Sequence, residues 1–159
     1  MKKISQKILW TIGGIGLLIC TVLFWSFILN TIGGSLCSTQ IIDSATSPDG
    51  SQKAVVFTVD CGATTDWTTH ASVVASYKVI SDKDRGNALR IDSNHGQAWP
   101  LAIKGWPLIK PIWKDPNSLE LHYSKNSSAF KMSSKVGEIS VQYLEMTPEF
   151  VSEQNIETR

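Results

Sequence analysis

Two hydrophobic patterns divide the chain. From Ile8 to Leu29 the run ILWTIGGIGLLICTVLFWSFIL holds 22 residues without a charge. Beyond Cys37 the apolar residues alternate with polar ones, which is the period of strands with one buried face. The first pattern predicts a helix of about 33 Å, long enough to cross a bilayer. It exceeds the roughly 7 to 15 apolar residues of a cleaved secretory signal, so an uncleaved transmembrane anchor is expected. Leu36 stands before Cys37 where a lipidated cysteine would have a small residue, which speaks against lipidation.

The alternating region predicts its strands one by one. Ile41 and Ile42 precede Ser47-Pro48-Asp49-Gly50, where Pro48 presets φ and Gly50 can take the left-handed conformation that closes a three-residue hairpin. The return strand, Lys53 to Cys61, puts Val55, Phe57, Val59 and Cys61 on one face, expected to be the core side, with Thr58 and Asp60 opposite. After a loop from Gly62 to His70, a strand from Ala71 to Ile80 would bury Ala71, Val73, Ala75, Tyr77 and Val79. A polar turn, Ser81 to Asn87, leads to a short strand from Ala88 to Asp92. Pro100, Pro107, Pro111 and Pro116, interleaved with Trp99, Trp106 and Trp113, predict an irregular stretch, since each proline removes a backbone donor. Regular alternation resumes at Leu119, Leu121 and Tyr123, with His122 facing solvent. Phe130 and Met132 suggest a short strand, and Ile139, Val141 and Tyr143 mark the last one. No helix is expected outside the anchor.

The fold class is therefore all-β: a small antiparallel sheet or sandwich of six to seven strands, preceded by one N-terminal transmembrane helix. The expected organisation is a cytoplasmic N-terminus (1–7), an anchor (8–29), a linker (30–36), an extracytoplasmic β domain (37–146) and a loosely ordered polar tail (147–159). Turn signals like those of propeller blades occur, but a propeller needs at least four blades of about 40 residues, more than this chain holds.

Charge settles orientation more than partner. Lys2, Lys3 and Lys7 precede the apolar run and no Lys or Arg follows until Lys53, so the N-terminus is expected in the cytoplasm. The localisation implied is single-pass in the cytoplasmic membrane, with the C-terminal domain in the periplasm or outside the cell. Fifteen basic against fourteen acidic residues give +1 overall, and no basic excess points to nucleic acid.

Three cysteines fall at 20, 37 and 61. Cys20 lies in the apolar run, and the other two are expected to form a disulfide in an oxidising compartment. The competing reading makes Cys61 a nucleophile with His70 or His95 as its base.

Two polar loops hold the candidate chemistry: Asp60 to His70, with Thr64, Thr65 and Asp66, and Asp92-Ser93-Asn94-His95-Gly96. Asp60, Thr64, Thr65, Asp66, His70, Asp92 and His95 form the candidate polar site. Hydroxyls and carboxylates in such loops can line a site, and they also satisfy loop amides as local turns, which is the preferred reading. His70 and His95 with Asp92 could hold a metal or act as a base if the loops meet. No metal, hydrolase or phosphate-loop motif is present, so neither a metal nor a cofactor is expected.

Ser47-Pro48-Asp49-Gly50, Asp60-Cys61-Gly62-Ala63-Thr64-Thr65 and Asp92-Ser93-Asn94-His95-Gly96, with Pro111-Ile112-Trp113 and Leu119-Glu120-Leu121-His122-Tyr123, resemble a family of small bacterial lipoproteins and single-span membrane proteins without a settled activity. The resemblance covers roughly residues 37 to 145 and implies an exported, membrane-tethered β domain. The expected function is non-catalytic binding of another envelope protein or component. The alternative is an envelope hydrolase with a Cys/His or metal-histidine site.

Overall fold

The computed structural model describes residues 6–32, 37–62, 66–102, 104–154 and 156, with side chains of the first helix described from Gly14 to Ile28. The chain forms two units, Met1–Leu36 and Cys37–Arg159.

In the first unit, helix α1 (Gln6–Ile32) runs 27 residues, about 40 Å. Its described apolar residues point in all directions: Ile15, Leu18, Val22 and Trp25, like Leu17, Phe24 and Phe27, are each more than half exposed. Among the described residues no helix is long and apolar enough to cross a membrane.

The second unit is mostly β, with nine strands among the described residues: β1 (Ser38–Thr46), β2 (Gln52–Asp60), β3 (Thr68–Ala75), β4 (Leu89–Asp92), β5 (Ile109–Asp115), β6 (Ser118–Tyr123), β7 (Ser128–Met132), β8 (Lys135–Val136) and β9 (Ile139–Glu145). They form a five-stranded sheet, β1-β2-β3-β4-β7, and a four-stranded sheet, β5-β6-β9-β8. Ala54, Val56, Ala71, Val73, Leu89 and Ile91 of the first sheet meet Ile109, Leu119, Leu121, Ile139 and Val141 of the second in one buried cluster. This is the core of a sandwich. The Tyr143 hydroxyl also ties the two layers, sharing its one proton between the carbonyls of Ser133 (2.7 Å) and Ala88 (2.9 Å).

The first hairpin forms where expected, with Gly50 at φ 73°. It closes on Ser47 and Gln52 rather than as a three-residue loop, because the Ser47 hydroxyl accepts the Gln52 N–H at 3.0 Å. Val55, Phe57 and Val59 are buried, but on the outer face of the first sheet. There, with Val74, Ile80 and the two cysteines, they make a second cluster. The sandwich side of β2 belongs to Ala54 and Val56.

Five further expectations need correction. The strand expected at Ala71–Ile80 runs from Thr68 to Ala75, because β2 offers no partner beyond Gln52. Past Ala75 the chain turns, with Ser76 N–H donating to Ser51 O and Lys78 N–H to Ala75 O. Tyr77 and Val79 are then 88% and 78% exposed rather than buried. The proline-rich stretch does contain a strand, β5, which tolerates Pro111 because it lies at a sheet edge. The sheets are not wholly antiparallel: the chain leaves β6, adds β7 to the first sheet, and returns as β9 parallel to β6. The tail contains helix α2 (Pro148–Glu153), N-capped by Thr147, whose Oγ1 accepts the Phe150 N–H at 3.3 Å. Its Phe150 ring stacks on His122 at 4.2 Å and 2°, so His122 is covered rather than facing solvent.

Candidate functional site

Strand register gathers the loops that carry polar chemistry at one end of the sandwich. Ser38 pairs with Asp60, Thr68 with both Val59 and Asp92, and Ser128 with Asp92. The Cys37–Cys61 disulfide closes this end. Cys61 is therefore not a thiolate, and the nucleophile reading loses its reagent.

Asp66 organises the end. Its Oδ1 accepts from the Ser93 hydroxyl and from its neighbour's Trp67 N–H (2.8 Å), and its Oδ2 from the His95 N–H at 2.9 Å. Asn94 and His95 are both left-handed, at φ 47° and 54°, a conformation unusual for a histidine. The Asp66 bond holds that peptide in place. Burial alone would raise the Asp66 carboxyl, but Ser93 and the two backbone donors keep it below the usual carboxylate range. Asp60 accepts the Gly62 N–H (2.9 Å) and Asp92 the Asn94 N–H (2.8 Å). Each aspartate of the predicted site thus holds a loop amide. Thr64 and Thr65 lie outside the described residues.

The two histidines occupy different settings. His95 is exposed on its turn. His70 sits on the outer face of β3, 6% exposed, tilted against Phe57 at 5.4 Å, with Nδ1 accepting the Gly86 N–H at 3.2 Å. No recorded contact joins them among the described residues, and no three His, Cys, Asp or Glu side chains there are placed to share a metal. The metal-histidine alternative finds no such cluster.

His70 makes a measurable prediction. Burial, then the charges of Arg90 and Arg85, push its pKa from 6.5 down to about 4. On acidification the unfolded chain takes up this proton first. The His70 contribution is therefore complete above pH 6.5 and falls as the pH drops towards 4, by about 3 kcal/mol in all. Asp66 and Asp84, held below the usual range, lose their contributions only below the ordinary carboxylate pKa of 3.8. Urea midpoints at pH 7.5 and 4.5 should therefore differ markedly less in His70→Gln than in the wild type. Equal differences would remove His70 as the cause.

A second feature, along β1, has no counterpart in the predicted site. Asp43 and Lys110 pair at 2.9 Å, and the Trp113 indole donates to Ala45 O at 2.9 Å, so β5 runs beside β1 in the same direction. Between them opens a groove of about 350 Å³, lined by apolar residues that include Ile42, Trp106, Leu108, Met146 and Ile156, with Gln40, Asp43, Lys104 and Lys110 at its polar positions. Ile42 is the unpaired residue of a bulge in β1. Trp106 meets Trp67 edge-on at 5.5 Å, which joins the groove to the Asp66 loop, and Lys104 Nζ lies 5.5 Å from the Trp106 ring centroid. The groove draws on residues more than a hundred positions apart, and no local pattern announces it.

Comparison with family models, with curated proteins and with solved structures gives no match to this chain.

Proposed function

We propose that this chain is a membrane-anchored extracytoplasmic β domain serving as a non-catalytic binding module at the cell envelope. The observation that carries the reading is the Cys37–Cys61 disulfide at the head of the β domain, because such bonds persist in oxidising compartments outside the cytoplasm. The charge-free run from Ile8 to Leu29 supports the anchor. So does a helix apolar on all sides with its large side chains exposed, since such a surface needs lipid or protein around it. The motif resemblance to small bacterial single-span and lipid-anchored proteins fits the same picture. The polar residues of the loops are engaged in holding turns, which favours a scaffold presenting a surface over a catalytic constellation.

Protease added to intact spheroplasts should remove the β domain and leave an anchor fragment in the membrane. In the same cells, Cys37 and Cys61 should alkylate only after reduction. A domain protected until lysis, with both thiols free, would overturn the proposal.

A further inference from the structure

We propose that the groove between β1 and β5 seats an acyl chain of an anionic bilayer lipid, with Lys104 at its head group. This rests on the membrane-anchored reading above. On β1 the groove is lined by Gln40, Ile42 and Asp43, midway along the strand that Cys37 leads into. Only the four residues 33–36 separate Ile32 from Cys37 in sequence, a reach of about 17 Å when fully extended. An anchored chain ties β1 to the bilayer by that short stretch of sequence.

The chemistry of the groove suits a lipid. Its apolar lining and its volume of about 350 Å³ fit the lower range of small-molecule sites, roughly 300 to 1,000 Å³. Trp67, 42% exposed, stands against Trp106 of the groove. Indoles and lysines are the residues that settle at a bilayer interface. Lys110 is engaged by Asp43, whereas Lys104 is paired to no carboxylate among the described residues and is left to meet an anion.

A peptide strand is the less suitable occupant. It would need the free edge of β1, yet the Thr39 N–H donates to Asp82 Oδ1 (3.2 Å) and Ala45 O accepts from Trp113. The groove offers apolar surface and one cation rather than a row of open backbone groups.

The test uses the full chain in phosphatidylcholine nanodiscs carrying a trace of phosphatidylglycerol or phosphatidylcholine with a diazirine in the acyl chain, followed by peptide mapping. Both probes should label residues 8–29 alike. Groove peptides within 102–110 and 139–156 should label about fivefold more with the anionic probe, the factor one lysine gives near an anionic surface. Lys104→Gln should bring that ratio to about one, and Ile42→Asp should abolish groove labelling while anchor labelling and the disulfide persist. Anchor labelling without groove labelling would overturn this proposal, leave the anchor standing and leave the groove to a protein partner. Groove labelling without anchor labelling would overturn the anchor on which the proposal rests. Equal groove labelling by both probes, unchanged in Lys104→Gln, would overturn the anionic lipid, and labelling only by a free diazirine fatty acid would overturn the bilayer as its source.

Discussion

Replacing Gly86 by alanine is expected to destabilise the β domain by about 3 to 4 kcal/mol, at the upper end of what overpacking produces. A Cβ at this position would stand 2.4 Å from the Leu89 carbonyl oxygen and 3.0 Å from that of Ala71. Both are backbone atoms, and Leu89 and Ala71 are a registered pair of β4 and β3 whose side chains sit in the sandwich core. Neither can retreat without opening the sheet. The third neighbour, Arg90 Cγ at 3.0 Å, belongs to a flexible chain and can move. The same shift would draw the Gly86 N–H away from His70, leaving a buried ring nitrogen unpaired. Urea unfolding of Gly86→Ala beside the wild type measures the effect. A loss under about 1 kcal/mol would mean that the chain around Gly86 slides freely over the sheet.

Removing the disulfide, by Cys37→Ser with Cys61→Ser or by reduction, should destabilise the domain by about 3.5 kcal/mol in the loop-entropy model. The bond joins residues 24 apart in sequence. In the unfolded chain it holds together two ends that the β1–β2 ladder would otherwise have to bring into register, from Ser38 opposite Asp60 onwards. The cysteines also pack against Val55, Phe57, Val59, Val74 and Ile80, so two serines would place hydroxyls beside that cluster. Thermal melts with and without reductant should separate by several degrees. An unchanged melting temperature would show that the hairpin alone restricts the unfolded ensemble as much as the bond does.

How much of this was legible depended on whether the relevant physics was local. The two-residue period located β2, β4, β6 and β9, and Ser-Pro-Asp-Gly located the first hairpin, because pleat and turn chemistry act within a few residues. The period could not say which buried face of β2 meets the second sheet, since both Val55/Phe57/Val59 and Ala54/Val56 are apolar. Nor could it stop β3 at Ala75, because Tyr77 and Val79 continue the alternation into a turn. Pro111 signalled irregularity, and only the place of β5 at a sheet edge makes it acceptable. The direction of β9 against β6 depends on the excursion through β7, which no periodicity records.

The site divides in the same way. Asp60, Asp66 and Asp92 were legible as loop residues, and two of them bond donors only two positions away. That Asp66 reaches Ser93 and His95, 27 and 29 residues on, is a tertiary fact. In sequence Asn87 is one more polar turn residue, yet its side-chain amide both accepts from Val73 N–H and donates to Val73 O at 2.8 Å, standing in for a strand beside β3. The groove, assembled from β1, the loop before β5 and the C-terminal region, has no sequence signature at all.

The placing of β2 between two hydrophobic clusters bears on how this protein can change over time. From Ala54 to Val59 no side chain is more than 5% exposed, so six consecutive positions lack a solvent side. β9 keeps one, with Ser140 and Gln142 exposed in alternation with Ile139, Val141 and Tyr143. Sequence drift can pass unnoticed through every second residue of β9. In β2, as in β3 with its own six consecutive buried positions, each substitution is felt on one face or the other, and these two neighbouring segments have little freedom to diverge.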